Sequence, residues 1–373
     1  MRGEKIIQGK LDIGCCEEDK FFIAFSHLIN ISPMFKFRLL EFFDFDPQRA
    51  WNCDKNDLKT LANAYPELTI ARNFIDLRNE ISPDELVSQA NFITINSPQY
   101  PEFLRNIPDP PILLYYKGEI SEGIFENTLA VVGSRKASDG AKIALAQIIN
   151  DLGDSPVTIV SGLALGIDAQ AHKSAIKTGL KTIGVIGCGI NKVYPQTNLE
   201  LYKNIENGAG LILSEYPPDV PPMPHHFPQR NRIVTGLSEG TLVAEAALRS
   251  GALISGNLAL EQGRELMCIP GLISNPNTQG VYKLLKDGAT LITCAKDILE
   301  TLNWGFEALS PKTLKLDGIE KNIFDIISLE SATIERIQAE CAVDITRLMI
   351  TLTQLELRGL IKQINGRYYI SEK

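Results

Sequence analysis

Three arginines and an asparagine stand where hydrophobic runs give way to polar ones: Arg135 in "AVVGSRKASDG", and Arg230, Asn231 and Arg232 in "HHFPQRNRIVTG". A guanidinium beside a glycine turn and a helix start is anion-binding chemistry, because backbone N–H groups and a planar cationic fork can share one phosphate. Gly133 is followed by Ser134, Arg135 and Lys136, with no second glycine before Gly140, so the G-x-G-x-x-G dinucleotide fingerprint is incomplete. No G-x-x-x-x-G-K-[ST] occurs either, which removes a P-loop. What survives is a phosphate held by amides and arginines, with its owner undecided between a small nucleotide and a nucleic acid backbone.

Two more polar stretches follow strand-like runs. "VSGLALGIDAQAH" offers Ser161, Gly162, Gly166 and Asp168, with His172 one helical turn beyond. "GCGINKVYPQTN" offers Lys192, Tyr194, Gln196 and Asn198, where an aromatic ring can stack on a base. Each has a plainer reading. Arg230 and Arg232 can pair with Glu239, Glu245 or Asp168, and Asp168 with His172 reads better as a hydrogen-bonded support for the glycine loop than as an acid–base pair. His225 and His226 point apart without a third ligand, which favours structural loop histidines over a metal site.

These residues need a scaffold that gathers them on one edge. From about residue 91 to 304 the runs "TLAVVG", "VTIVSG", "KTIGVIG", "LILSE", "GTLVAEA", "ELMCIPG" and "ATLIT" alternate with helix-length segments. That alternation predicts an α/β fold, a Rossmann-like, mostly parallel sheet with helices on both faces, whose ligands sit outside the strands' carboxyl ends. Residues 1–90 show aromatic residues at helical spacing (Phe21, Phe22, Phe25, Phe35, Phe37, Phe42, Phe43), interrupted at Ser32-Pro33 and Asp46-Pro47; the stripe reads as the core of a small helical accessory domain. Residues 305–318 read as a linker. Residues 319–373 predict three helices, with Ser331 capping the second and Gly359 ending the third, then a hairpin turning at Asn365-Gly366: a winged helix. Asp344 and Glu356 offset Arg347 and Arg358 on its third helix, leaving DNA reading, protein contact and plain packing all open.

The 373-residue chain is 44% hydrophobic, enough for a substantial core, and carries a net charge of −8. That excess excludes a broadly basic surface and leaves room only for a local basic groove. The seven cysteines form no C-x-x-C pair and the four histidines complete no metal-ligand spacing, which points to reduced thiols in a cytoplasm and to no bound metal or cofactor. No apolar run reaches membrane-spanning length, and the N-terminus has no export pattern.

In order and spacing, "VVGSRKASDGA", "IVSGLALGIDAQAH", "TIGVIGCGINKVYP", "LSEYPP", "HFPQRNRIVTGLS", "VAEAALRSGALIS", "GRELMCIPG" and "LLKDGATLIT" make the chain resemble the bacterial DNA-processing protein A (DprA/Smf) family over about residues 91–300. The tail is similar to that family's winged helix, and residues 1–90 take the place of its helical sterile-alpha-motif-like domain. The resemblance implies a non-enzymatic protein of natural transformation (competence) and homologous recombination. It would bind and protect incoming single-stranded DNA, help load the RecA recombinase, and act as a homodimer through the Rossmann-like domain. It also implies a DNA pocket built from Gly133, Ser134, Arg135, Ser161, Gly162, the "YPQTN" loop, Arg230 and Arg232, with Gln196 where many members carry lysine and Lys192 as its substitute. On this view the phosphate is that of single-stranded DNA, held with little base readout. The stretch "VAEAALRSGALISGNLALEQG" reads as a helix that suits either the dimer interface or packing on the sheet.

A competing enzyme reading is a nucleotide N-glycosidase similar to the lysine-decarboxylase-like Rossmann class, with Gly240, Thr241 and Glu245 of "GLSEGTLVAEA" in place of its glycine loop and glutamate. The double glycine of that loop is missing.

Overall fold

The computed structural model describes residues 17–66, 68, 73–86, 88, 90–153, 155–305, 318–329, 331–341, 343–357, 360–364 and 366–370. Most of the expected linker, Cys15, Cys16, Arg358, Gly359 and Asn365 lie outside the described residues. The chain divides into two compact units, Met1–Leu309 and Ser310–Lys373.

All seven strand-like runs form strands of one sheet: β3 Thr128–Gly133, β4 Thr158–Ser161, β5 Lys181–Val185, β6 Gly210–Ser214, β7 Gly240–Glu245, β8 Glu265–Cys268 and β9 Thr290–Leu291. Two strands that the pattern did not reveal, β1 Asn91–Thr94 and β2 Leu113–Gly118, extend it on one side. The order is β1-β2-β6-β5-β4-β3-β7-β8-β9, antiparallel at β1/β2 and β2/β6 and parallel from β6 to β9. Strands β4 to β6 step away from β3 on one side, and β7 to β9 on the other. The direction of winding therefore reverses between β3 and β7, and the loops leaving those two strands part to open a crevice.

Period-two alternation assigns the strand side chains to two cores. Leu129 and Val131 of β3 pack with Leu145, Ile149 and Ala171 from the helices Asp139–Leu152 and Ile167–Thr178. Ala130 and Val132 belong to the opposite core, with Ile233 of the helix His226–Gly236 and Ala259 of the helix Gly251–Glu261. The latter corrects the reading of "VAEAALRSGALISGNLALEQG" as one helix: Val243–Glu245 ends β7, and the helix starts only after Ser250, whose hydroxyl accepts from Leu253 N–H.

The N-terminal helices are Asp19–His27, Pro33–Phe42, Pro47–Trp51, Lys55–Ala64 and Phe74–Asn79, the middle three capped by Ser32, Asp46 and Asp54. Ser32 and Asp46 each accept a backbone N–H three residues on, and the following proline occupies the first helical position. The aromatic stripe is core: Phe22, Phe25 and Phe35 are buried, continuous with Leu113, Tyr115, Leu211 and Leu213 of β2 and β6. A hydroxyl pair, Ser26 to Tyr115 at 2.8 Å, crosses that boundary.

In the second unit the helices Ile319–Leu329, Ile334–Cys341 and Ile345–Leu357 surround Ile323, Ile337, Leu348 and Leu352. A three-stranded sheet of β10 Ala332–Thr333, β12 Arg367–Ile370 and β11 Ile361–Ile364 completes a winged helix. Ser331 does not cap the second helix, because β10 intervenes; its carbonyl and hydroxyl accept from Arg367 instead. Asp344 caps the third helix through Thr346 and Arg347 N–H.

Candidate nucleic-acid interface

A pocket of about 740 Å³ opens at the carboxyl ends of β3 and β7, the place where the winding reverses. Gly133, Ser134, Arg135 and Lys136 line it from the loop after β3, Asp168 from the helix Ile167–Thr178 after β4, and Phe227, Arg230 and Asn231 from the helix His226–Gly236. Ser250, Gly251 and Ala252 add the start of the helix after β7. Its charged lining is three cations, Arg135, Lys136 and Arg230, against one carboxylate, Asp168. A net positive cleft on a chain of net charge −8 focuses anion attraction in one place.

The two rim arginines differ in kind. Arg135 is exposed and makes no ion pair among the described residues; Asp139, a conceivable partner, pairs with Lys142 at 3.0 Å. Its guanidinium lies over the Phe227 ring, 5.3 Å from the centroid, and Phe227 in turn neighbours Tyr194 at 5.4 Å. Tyr194 is 47% exposed. Two rings, tilted 40° to each other, and a planar cation thus line one side of the pocket with faces a base can stack on. Arg230 is buried, donating to the carbonyls of Gly162, at 2.5 Å, and Val185, at the ends of β4 and β5. It supplies charge from beneath the pocket floor.

Glycine is required at two points of this floor. A Cβ on Gly162 would stand 2.6 Å from both the Arg230 guanidinium and the Asp168 carboxylate. Gly166 has φ +79°, and a side chain there would run into the Ser134 and Arg135 backbone. Burial pushes the Asp168 carboxyl above its usual range, against the opposing pull of the Arg230 charge and N–H donors from Ala164 and Gly162. His172 does not pair with Asp168 among the described residues. It bonds Thr182 Oγ1 at 2.7 Å, and burial drives its pKa down to about 3, so the ring is neutral. The hydroxyl of Thr182 donates to Ile159 O, so His172 Nδ1 carries the proton.

The remaining predicted residues divide sharply. Ser161 donates to Val131 O, and Asn198 to the carbonyls of Leu163 and Ala164; both brace the glycine loop from below and do not face the pocket. Gln196 is exposed and bonds Val193 O, while Lys192 pairs with Asp219 at 3.5 Å and does not reach the pocket lining. Arg232 is turned away altogether: two positions on from Arg230, it projects about 200° around the helix. It is buried against Glu215, at 2.7 Å and 2.8 Å, and Asp109, at 2.9 Å. The helix also begins two residues before Pro228, which puts both arginines in its second turn. His226 stacks on Tyr216 with centroids 3.9 Å apart, a structural role like the one expected of it.

Lys136, Phe227 and the Ser250–Gly251 helix start were not singled out, although Ser250 directly before an apolar run is an ordinary N-cap signal. Glu245 is fully buried, with its carboxylate taken by Ser138 N–H at 2.9 Å, Ser138 Oγ at 2.8 Å and Asn275 Nδ2 at 2.8 Å. Gly240 and Thr241 open strand β7, at the opposite edge of the sheet from Glu245, so the stretch compared with a glycosidase loop is a strand. Among the described residues no cluster of His, Cys, Asp and Glu is placed to hold a metal, and no helix is long and apolar enough to cross a membrane.

Comparison with known proteins bears on the same segments. Residues 91–303 match the family described as DNA recombination-mediator protein A, and residues 307–367 the DprA winged helix domain. Protein Smf of Escherichia coli is 38% identical over 291 residues, 74% of this chain and 76% of that protein. The X-ray structure of DNA processing protein A from Streptococcus pneumoniae superposes with a TM-score of 0.66 at 34% identity, covering 75% of this chain and 97% of that one. A Helicobacter pylori structure, described as giving insight into the single-stranded DNA binding mode of DNA processing protein A, superposes with a TM-score of 0.52 at 28% identity, covering 60% of this chain and 100% of that one.

Proposed function

The chain belongs to the DNA recombination-mediator protein A (DprA/Smf) family, and from that premise we propose that the pocket between β3 and β7 grips the backbone of single-stranded DNA. The observation that carries this reading is the exposed Arg135, stacked on Phe227 beside Tyr194 at the mouth of a cationic pocket. A phosphate enters toward Arg135, Lys136 and the amides at the start of the helix Gly251–Glu261, with Arg230 adding positive potential from below. A neighbouring base lies on the Tyr194–Phe227 surface, which is open to any base because every base has a π-face. Duplex DNA keeps its bases stacked inside and offers no such face.

The biological role follows from the family: DNA processing in natural transformation and recombination, with the strand shielded from nucleases and passed to the RecA recombinase. Binding rather than turnover is the proposed activity, in the cytoplasm and as a homodimer through the sheet domain. The hydrogen-bonded burial of Glu245 speaks against a glycosidase, which needs a carboxylate free to meet substrate.

The test is a titration of the full chain with single- and double-stranded oligonucleotides of mixed sequence at several salt concentrations. Expected are tighter binding to single strands, little sequence preference and affinity that falls with salt. Equal or tighter duplex binding, or release of free base from nucleoside monophosphates that Glu245→Gln abolishes, would overturn the reading.

A further inference from the structure

Arg232 shares a helix with the DNA-facing residues yet points away from them, and what it meets there is a charge cluster drawn from three other segments. Its guanidinium holds Glu215, just after β6, and Asp109, in the loop before β2. The N-terminal helix Pro33–Phe42 belongs to the same interior: its Phe35, Leu39 and Leu40 are buried in one core with Ile233 and Val234 of the arginine's helix, and Lys36 is itself buried within the influence of the Glu215 and Arg232 charges, burial pushing its ammonium down to about 8. Tyr100, also buried, anchors the Asp109 loop by donating to Pro111 O at 2.6 Å. Tyr216, next to Glu215, completes the grip on the helix by stacking on His226 and donating to Gln229 Oε1 at 3.0 Å.

We infer that Arg232 is a positioning residue: its ion cage with Glu215 and Asp109, bordered by Lys36, fixes the helix His226–Gly236 so that the N-terminal helices set the placement of Phe227, Arg230 and Asn231 at the DNA pocket. The inference rests on the single-strand reading of that pocket. A helix with one face on the ligand and the other locked in a buried ion cluster transmits displacement, because the fork admits one orientation of its carboxylates. Binding energy must then flow both ways between the pocket and the N-terminal helices.

Two measurements test it on the full chain. Hydrogen exchange with and without saturating oligothymidylate should show slowed exchange in the helix Pro33–Phe42, which lines no part of the pocket. Unchanged exchange there, with DNA bound, overturns the inference. Arg232→Lys keeps the charge and loses the fork; it should weaken single-strand binding about tenfold with a wild-type salt slope, and Lys36→Met should weaken it about threefold. A slope shallower by about 0.7 would instead make Arg232 a phosphate contact, and wild-type affinity would make the cage purely structural; either result overturns the inference. If the wild-type chain itself fails to bind single strands, the pocket reading falls first. Should Arg232→Lys not fold, the exchange measurement on the wild-type chain still decides.

Discussion

The sheet rim and the third helix of the winged-helix unit are the two places where this molecule has a shape suited to DNA, and their surfaces are opposites. At the rim, exposed Arg135 and Lys136 stand over a buried third cation, with aromatic rings alongside. On the helix Ile345–Leu357 the outward residues include Ile345, Met349 and Ile350, 43%, 44% and 55% exposed, interspersed with threonines and Gln354; Arg347 is the one described basic residue there. A recognition helix that reads DNA needs cations for phosphates and amides or arginines for base edges. Among the described residues the helix Ile345–Leu357 presents one exposed arginine and one exposed amide among apolar side chains, whereas the rim gathers three cations on an otherwise acidic chain. Affinity for a phosphate backbone is set by cations left unpaired, not by the name of a fold.

The comparison breaks most visibly at Arg230. Arg230→Met should lower binding more than a hundredfold and destabilise the first unit by about 3–5 kcal/mol, because Asp168 and two carbonyls lose a buried cation. A titration and a melting curve on one sample check both, and near-wild-type binding would separate Arg230 from the site. Arg135→Ala should cost about tenfold, near 1.4 kcal/mol, at unchanged stability. Its plot of log affinity against log salt should become shallower by about 0.7, with Arg135→Lys recovering part of the loss. An unaltered slope with a lower melting temperature would make Arg135 a brace instead. Ending the chain before residue 310 should change single-strand affinity by less than tenfold, and a greater loss, measured on a folded product, would show that the winged helix holds DNA after all.

The last effect is zero at neutral pH and grows only in acid. His172 is neutral in the fold, with its pKa depressed to about 3 from an ordinary 6.5, so the unfolded chain binds the extra proton between those values. Its contribution to stability is complete above pH 6.5 and is lost as pH falls toward 3, at up to about 1.4 kcal/mol per pH unit. Acid titration followed by circular dichroism should show a shallower stability loss for His172→Gln, in the first unit only. Equal slopes would remove His172 from the acid response.

Much of this was readable before the structure. Strands β3 to β9 announce themselves because a parallel sheet buried on both faces demands unbroken β-branched runs. β1 and β2 were hidden: "NFIT" and "LLYYKG" are short and their pairing is set by distant partners. At the site, Gly133, Ser134, Arg135, Arg230 and Asn231 were legible from strand end and helix start together, and the structure places them in one pocket. Arg232 was not, since helical spacing turns it about 200° from Arg230 but only the fold brings Glu215 and Asp109 to meet it there. Phe227 escaped notice because proximity to Arg135 joins segments about 90 residues apart in the chain.

One feature of the fold bears on the timing of its assembly. The aromatic core of the N-terminal helices, where Phe25 meets Trp51 and Phe74, is continuous with β2, and β2 is paired with β6, Tyr115 opposite Ser214. Strand β6 follows β2 by about 100 residues, so at about 5–20 residues per second β2 waits about 5–20 s for its neighbour during synthesis. Until then the flank of the aromatic core that continues into the sheet lacks its final cover.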